Sequence, residues 1–300
     1  MVVQEDEKII VQSLIGGNQL PFYLRCLKSL IGFCQDRIDL QLHTDGSLSQ
    51  EDKDFIHSEL DGTIVTITNS FENTSRVLDC LQGRPNCQKF RKDSIWGIEF
   101  FEPLFAYPND NISFYIDADI LFLRKFSGLF DRNQVKGGAI FLKDNQWDAY
   151  SFRPWHMLAG TKRPEAVKGI TTGLVFWDKS VIDWDYLEWF LGEHRLHQIP
   201  EWIMPTAQAG LAHRCDAKTI SPRYLPNLYP NAHIHNDTFG VHLLGSYRKQ
   251  WMEKLEAREN NQTENVPIMT PSFEKCLSQN IFGYSLRQMR RWKNTRLNLW

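Results

Sequence analysis

The stretch Ile112-Ser-Phe-Tyr-Ile-Asp-Ala-Asp-Ile-Leu-Phe-Leu123 decides the fold class of this chain. Its β-branched and aromatic residues predict a buried central strand, and two carboxylates, Asp117 and Asp119, interrupt the apolar run. An ionised carboxylate that is removed from water is costly unless a cation compensates it, and a divalent metal ion is the natural partner of such a pair. Open α/β sheets bind their ligands at the carboxyl ends of strands of this kind. We therefore expect a metal site here.

Two further segments have the same D-x-D spacing, Asp52-Lys-Asp54 and Asp183-Trp-Asp185. Both lie in polar, helix-like surroundings, where an acidic residue near a helix N-terminus is favoured by the helix dipole. The spacing alone does not separate the three pairs, but the strand context does. We expect only Asp117 and Asp119 to bind metal.

The first half of the chain alternates apolar strands with amphipathic helices, which is typical of βαβ units and a mostly parallel sheet. The predicted strands cover residues 8–14, 38–43 and 63–68, and the predicted helices cover residues 20–33 and 88–106. The second half is less regular, with a strand at 172–177 and helices at 183–192 and 204–214. The expected fold class is α/β, a Rossmann-like sheet flanked by helices, followed by an irregular C-terminal half.

Composition and charge narrow the function classes. The chain has 300 residues, 42% of them hydrophobic, which suffices for a sizeable core. Its formal net charge of −2 gives no reason to expect nucleic acid as a partner. The six cysteines form no C-x-x-C pair, and we expect free thiols in a reducing compartment. The first residues have neither a basic region nor a long apolar run, so we expect no signal peptide and a cytoplasmic location.

Three motifs resemble one enzyme family. Tyr115-Ile-Asp-Ala-Asp-Ile-Leu-Phe-Leu123 is similar to the D-x-D strand of GT-A glycosyltransferases. His242-Leu-Leu-Gly245, followed by Arg248 and Lys249, is similar to the H-x-x-G-x-x-K-P-W segment of glycosyltransferase family 8. Between them, Ile170-Thr-Thr-Gly-Leu-Val-Phe176 loosely resembles the F-N-S-G strand of that family. Their order and spacing fit across roughly residues 8 to 252.

The resemblance implies a GT-A-like domain that transfers a hexose from a nucleotide diphosphate sugar, usually a uridine diphosphate sugar, to an acceptor hydroxyl. The family pattern implies retention of anomeric configuration and a Mn²⁺ or Mg²⁺ ion held by Asp117, Asp119 and His242. Such an ion neutralises the charge that develops on the leaving diphosphate. The acceptor would be a saccharide, a lipid-linked molecule or a protein.

The resemblance also assigns further site residues. Those expected at the donor are Asp45, Lys92, Asp117, Thr172, Gly173, Gly245, Arg248 and Lys249. The expected catalytic residues are Gln208 and Asp119. An insertion after His242 leaves open whether Arg248 or Lys249 takes the lysine position of the family.

One departure leaves the chemistry at the sugar undecided. Ala207 stands where the family has an aspartate, close to the transferred sugar and the acceptor. A base for inverting transfer could instead be any of three unassigned carboxylates, Asp178, Glu201 and Asp237. The missing carboxylate favours a non-catalytic nucleotide-sugar-binding module as an alternative. A sugar nucleotidyltransferase is a second alternative, disfavoured because Gly16-Gly17 is not followed by a longer glycine-rich, basic loop.

The C-terminal part has a signal of its own. We expect a catalytic domain over residues 1–255, a polar linker over 256–270 and a basic, aromatic tail helix over 271–300. Within residues 285–300, tryptophans and other apolar residues share one predicted helix face and five basic residues accompany them. Such a helix can lie on the anionic inner face of a membrane, or it can pack across the body of the same chain.

Overall fold

The computed structural model describes residues 9–60, 63–68, 70–144, 146, 148–158, 162–259 and 267–297. Ten strands lie in these ranges: β1 (Ile9–Ile15), β2 (Ile38–Thr44), β3 (Val65–Thr68), β4 (Ile112–Ile116), β5 (Ile120–Phe122), β6 (Gly138–Lys143), β7 (Ile170–Asp178), β8 (Asp216–Ile220), β9 (Gly240–His242) and β10 (Phe273–Lys275). The α-helices are α1 (Leu20–Phe33), α2 (Gln50–Glu59), α3 (Ser70–Cys80), α4 (Pro85–Asp93), α5 (Ile95–Phe105), α6 (Arg132–Val135), α7 (Trp184–Gly192), α8 (Ile203–Ala212), α9 (Arg248–Glu259) and α10 (Ile281–Leu297).

Eight of these strands form one sheet in the order β10-β8-β6-β7-β4-β1-β2-β3. Four of its seven neighbouring pairs are parallel: β1 with β2, β1 with β4, β2 with β3, and β6 with β8. β7 runs antiparallel to both β4 and β6, and β10 runs antiparallel to β8. Apolar side chains fill the space between the sheet and the helices on its faces. The mostly parallel α/β sheet expected from the sequence is confirmed.

The helix α1 follows directly from the period of its apolar residues. Leu20, Leu24, Leu27 and Leu30 recur every three or four positions, and all four are buried. The same helix was predicted over residues 20–33, and the observed bounds coincide with that range. A buried stripe of this kind fixes the helix against the sheet.

The predicted single helix over residues 88–106 is wrong, because two helices, α4 and α5, meet at Ser94. The backbone of Ser94 is extended, with φ −138° and ψ 136°, and its hydroxyl accepts a hydrogen bond from the Trp96 amide at the start of α5. Gly97 allows the two helices to touch, since a Cβ there would lie 2.3 Å from the Phe90 carbonyl oxygen. An N-cap and a close contact therefore divide the segment. The helix α3, which precedes α4, was not predicted from the sequence.

The D-x-D segment leaves the main sheet after β4. Asp117, Ala118 and Asp119 connect β4 to β5, and β5 pairs antiparallel with β9 in a separate two-stranded sheet. In that register Ile120 lies opposite His242. The amide of Asp117 donates to the carbonyl of Gly173 on β7, at 2.8 Å, which ties the connection to the central sheet. This change of sheet brings the distant His242 beside the two carboxylates.

The C-terminal region packs on the rest of the chain. Residues 273–275 form the edge strand β10 and the helix begins at Ile281, whereas a helix over 271–300 was expected. Tyr284 on α10 is buried, and its hydroxyl donates to the carbonyl of Phe152. Arg287 pairs with Asp148 at 3.1 Å. Of the expected linker 256–270, residues 256–259 continue α9 and residues 260–266 lie outside the described ranges. The division of the chain into catalytic domain, linker and tail stays a prediction.

Candidate metal and nucleotide-sugar site

The structure brings together the three residues that the sequence analysis assigned to a metal ion. His242 Nε2 lies 3.1 Å from Asp119 Oδ1 and 3.6 Å from Asp117 Oδ2. One ligand atom from each of the three residues falls within 4.8 Å of the others. These distances are compatible with a single ion bound between two carboxylates and an imidazole.

The imidazole of His242 is held in a fixed orientation. Its Nδ1 lies 2.7 Å from Asn227 Oδ1, and an amide oxygen accepts a hydrogen bond, so Nδ1 carries the proton and donates. In the neutral ring Nε2 then presents its lone pair to the two carboxylates. Gly173 lies directly under the ring, and a Cβ there would be 2.6 Å from His242 Cε1. The glycine of the predicted F-N-S-G-like strand thus makes room for the imidazole.

The electrostatics of the three residues favour the binding of a cation. Burial and the charge of Asp119 raise the pKa of Asp117 to about 7. Burial lowers the pKa of His242, but the charges of Asp119 and Asp117 outweigh it and raise that pKa overall. Asp119 Oδ1 is buried and accepts no hydrogen bond from any part of the chain that the structure describes. A divalent ion would satisfy this oxygen and relieve the repulsion of the carboxylates, so these residues fit Mn²⁺ or Mg²⁺.

Arg248 is placed against the carboxylate pair. Its Nη2 lies 2.7 Å from Asp119 Oδ2, and its guanidinium stacks over the Phe22 ring with 4.3 Å from Cζ to the ring centroid. A hydrogen bond to Gln19 adds a third contact. Lys249 is exposed on α9. Of the two cations left open by the sequence, the structure brings Arg248 to the site.

A cavity of about 360 Å³ opens at the ends of β1, β2 and β4. We call it the strand-end cleft, and it is lined by Leu14, Ile15, Gly16, Asn18, Gln19, Tyr23, Asp45, Ile95, Glu99, Tyr115, Asp117, Ala118 and Asp119. Asp45 lies at one end, where its Oδ1 accepts a hydrogen bond from the Ser47 amide at 2.9 Å. Gly16 faces this carboxylate so closely that a Cβ would lie 2.4 Å from Asp45 Oδ2. The cleft lies where ligands bind in open α/β sheets.

Other predicted donor or catalytic residues lie apart from this cleft. Lys92 is exposed on α4 and does not line it. Thr172 is buried on β7, next to Gly173. Gly245 is exposed, and apart from its chain neighbours no described residue has an atom within 4 Å of where its Cβ would be. Gln208 is buried on α8, where its Nε2 lies 3.0 Å from Met204 Sδ, and it lines a small inner cavity behind the cleft.

The structure adds two residues that the sequence analysis missed. Glu99 on α5 faces the strand-end cleft, and burial together with the charges of Asp117 and Asp119 raises its pKa well above the usual range. The sequence feature that could have identified Glu99 is its position inside the apolar helix sequence Ile95–Phe105, which contains no lysine or arginine. The second missed residue, Asn227, lies in a proline-punctuated loop. No periodicity or motif marks it, because its role depends on a contact with His242, 15 positions away.

Comparison with known proteins supports the fold by structure and not by sequence. No protein-family model matches the chain, and no curated protein matches its sequence. The apo crystal structure of mouse xyloside xylosyltransferase 1 superposes with a TM-score of 0.54 at 8% identity, covering 78% of this chain and 97% of that one. The structure of the galactosyltransferase LgtC, in complex with donor and acceptor sugar analogs, superposes with a TM-score of 0.51 at 12% identity. The match covers 86% of this chain and 98% of the LgtC chain.

A third structure, the apo form of the bifunctional glycosyltransferase WbbM, superposes with a TM-score of 0.53 at 10% identity. The match covers 87% of this chain but only 52% of the WbbM chain. At these identities the likeness establishes the fold. The chain therefore has the GT-A type of α/β fold that the sequence resemblance implied.

Proposed function

We propose that this chain is a metal-dependent glycosyltransferase that moves a hexose from a nucleotide diphosphate sugar, a UDP-sugar, to an acceptor hydroxyl. One observation carries the proposal. Asp117, Asp119 and His242 converge at the ligand-binding edge of a sheet whose fold is that of solved glycosyltransferases, and Arg248 lies against them. A cation and a guanidinium at one point are what a leaving diphosphate requires.

The donor would lie along the strand-end cleft. Asp117, Asp119 and His242 would hold a Mn²⁺ or Mg²⁺ ion, which supplies positive charge to the leaving diphosphate. Arg248 would bind the same diphosphate while Phe22 keeps its guanidinium in place. Asp45, at the far end of the cleft, would approach the nucleoside.

A second cavity of about 340 Å³ is a suitable place for the acceptor. It is lined in part by Asp144, Asn227, Tyr229, His233 and His235, a mixture of aromatic and polar side chains that suits a saccharide. Asn227 lines this cavity and also bonds to His242. The acceptor would thus lie on the other side of His242 from the donor.

The positions of the unassigned carboxylates support retention. Asp178 accepts hydrogen bonds from the amides of Gly137 and Ser180, which is a structural role. Asp237 pairs with Arg223, and Glu201 is exposed. None of the three lines the strand-end cleft. None of them lines the second cavity either, and Asp144, which does, already accepts hydrogen bonds from the Gln146 amide and the Tyr229 hydroxyl. An inverting enzyme needs a carboxylate base beside the acceptor hydroxyl, so these positions favour a retaining transfer, with Asp119 and Gln208 near the reaction.

The non-catalytic binding module remains the competing function, because Ala207 is buried in the core and offers no group to the sugar. One experiment separates the functions. The purified chain is incubated with Mn²⁺ and a panel of nucleotide sugars, and nucleoside diphosphate release and the anomeric form of the freed sugar are followed by NMR.

A transferase releases nucleoside diphosphate slowly in water and faster with an acceptor, and retention gives the anomer of the donor first. Donor binding without any release would support the binding module. In a parallel incubation with nucleoside triphosphates and sugar phosphates, consumption of both would support the nucleotidyltransferase and contradict the proposal.

We further propose that residues 285–300 contact an anionic membrane surface from the cytoplasmic side. Leu286, Met289 and Trp292 are exposed along one side of α10, while Tyr284 and Arg287 hold its other side against the body. Residues 298–300 lie outside the described ranges, and within those ranges no helix is both long and apolar enough to cross a membrane. All six cysteines are free, which supports a reducing compartment.

Vesicle co-sedimentation tests this contact. We expect binding to vesicles that contain phosphatidylglycerol, weaker binding to pure phosphatidylcholine, and loss of binding when Met289 and Trp292 are both changed to serine. Equal binding of the variant and the unmodified chain would contradict the proposal.

A further inference from the structure

Glu99 is a carboxylate whose position is not explained by the packing of its helix. The other acid of α5, Glu102, is buried in an ion pair with Arg91, whose Nε lies 3.0 Å from Glu102 Oε1. Within the described ranges Glu99 has no such ion pair, and the charges that act on it, from Asp117 and Asp119, are of its own sign. Something other than a structural counter-charge accounts for a carboxylate here.

Glu99 stands between two cavities. It lines the strand-end cleft together with Asp117 and Asp119, and it lines the inner cavity together with Tyr115, Trp177 and Gln208. The inner cavity has room for about one water-sized group, at about 10 Å³. Glu99 and Tyr115 line both cavities, and we call the inner one the recess at Glu99.

Gln208 provides an independent sign that this recess receives a ligand. Its side chain is 3% exposed, and its Oε1 is buried without a hydrogen bond from the part of the chain that the structure describes. Its Nε2 has a thioether sulfur, Met204 Sδ, as its partner, which is a weak acceptor. Buried amide oxygens without a donor are costly, so a hydroxyl or a water is expected there.

The charges decide which part of the donor reaches the recess. A diphosphate is attracted to Arg248 and to an ion at Asp117, Asp119 and His242, whereas Glu99 offers it no positive charge. Sugar hydroxyls are uncharged donors that suit both a carboxylate and an amide oxygen. The hexose therefore faces Glu99 when its diphosphate faces Arg248.

We propose that Glu99 binds hydroxyl groups of the transferred hexose, together with Gln208, and so determines which sugar is accepted. This assignment rests on the proposed glycosyltransferase function. Where the resembled family has an aspartate, α8 offers Ala207, and Glu99 of α5 supplies a carboxylate to the cavity that Gln208 lines. Glu99 is here a specificity-determining residue of the donor site.

Calorimetry on the full chain with Mn²⁺ tests the assignment. The nucleotide sugar of the panel that binds best and its free nucleoside diphosphate are titrated into the unmodified chain and the Glu99→Gln and Glu99→Ala variants. We expect the preference for the sugar-bearing ligand to fall about tenfold or more in both variants, while affinity for the free diphosphate stays equal or rises.

Asp45→Asn is the matched control, because it removes one negative charge from the same cleft at its other end and should change both affinities by a similar factor. A second measurement varies the ligand and is made on the unmodified chain and on Glu99→Ala. Deoxy analogs of the sugar are titrated into the unmodified chain, and we expect at least one hydroxyl whose removal weakens binding in the unmodified chain but not in Glu99→Ala.

The outcomes separate the two proposals. If the unmodified chain binds neither ligand with Mn²⁺, the glycosyltransferase function fails. If it binds both, but Glu99→Gln changes both affinities equally, or no hydroxyl loses its contribution in Glu99→Ala, the assignment of Glu99 is overturned while the function stands.

Discussion

At the scale of single residues, the orientation of His242 links the sheet to the candidate metal site. Asn227 Oδ1 accepts a hydrogen bond from Nδ1 of the ring, and Gly173 leaves space for the ring. The pairing of β9 with β5 fixes the backbone of His242. The motif identified His242 and Gly173 from the sequence. Asn227 could not be identified, because it acts through another residue from a loop without periodicity.

Asn227→Ala should lower the affinity for Mn²⁺ about 10- to 100-fold, because an imidazole without its partner loses its orientation. Asn227→Asp is the matched control, since its carboxylate can still accept a hydrogen bond from Nδ1 of His242. Free Mn²⁺ measured by electron paramagnetic resonance gives both affinities. Equal affinity in the alanine variant and the unmodified chain would show that the contact does not position the ligand.

A second residue-scale prediction concerns His43, which is buried between Gln12 and Thr68. Burial, with the charges of Arg76 and Arg91, lowers the pKa of His43 from 6.5 to about 3. The folded state therefore binds this proton less readily than the unfolded state. The contribution of neutral His43 to stability is complete above about pH 6.5 and is lost as the pH falls from there toward 3.

Urea unfolding at pH 7.5 and pH 5 tests this linkage. Between these values the unmodified chain should lose about 2 kcal/mol more stability than His43→Gln, which has no proton to bind at this position. The same loss in both proteins would mean that His43 is accessible to protons in the folded state.

At the scale of elements, the sequence predicts helices and strands well where one apolar face is repeated, and poorly where a break depends on a local contact. The period of α1 predicted its full range, and Asp52 and Asp54, placed in helix-like surroundings from the sequence, lie on α2. The break at Ser94 was missed because no proline interrupts residues 86–102, where a basic stretch continues into an apolar one. The break is set by the contact of Gly97 with Phe90, a feature of tertiary packing.

Gly97→Ala should therefore destabilise the chain by about 1–3 kcal/mol, because the added methyl group meets the Phe90 carbonyl. Gly32→Ala is the control on α1, where the structure leaves open space and the change should stabilise by about 0.5–1 kcal/mol. Chemical denaturation measures both. Destabilisation of similar size at both positions would contradict the packing argument.

At the scale of the whole molecule, the α/β class and the GT-A fold followed from the alternation of elements and from three motifs. The antiparallel direction of β7 and the joining of β10 to the sheet edge did not follow, because strand direction depends on how long connections return to the sheet. The pairing of β5 with β9 did not follow either, because the chain leaves the central sheet and enters a second one within three residues of Asp117. The convergence of Asp117, Asp119 and His242 was predictable from motifs, whereas the position of Glu99, beyond any motif, required the packed structure.

The central claim is that Asp117, Asp119 and His242 hold an ion on which donor binding depends. Titration calorimetry of the best-binding nucleotide sugar, with Mn²⁺ and then with EDTA, tests it most directly in the unmodified chain, Asp119→Ala and Asp54→Ala. Asp54 shares the D-x-D spacing but lies exposed on α2, bonded to Gln50. We predict binding that requires Mn²⁺ in the unmodified chain and in Asp54→Ala and that is lost in Asp119→Ala. Donor binding that persists in EDTA, or that survives in Asp119→Ala, would contradict the account.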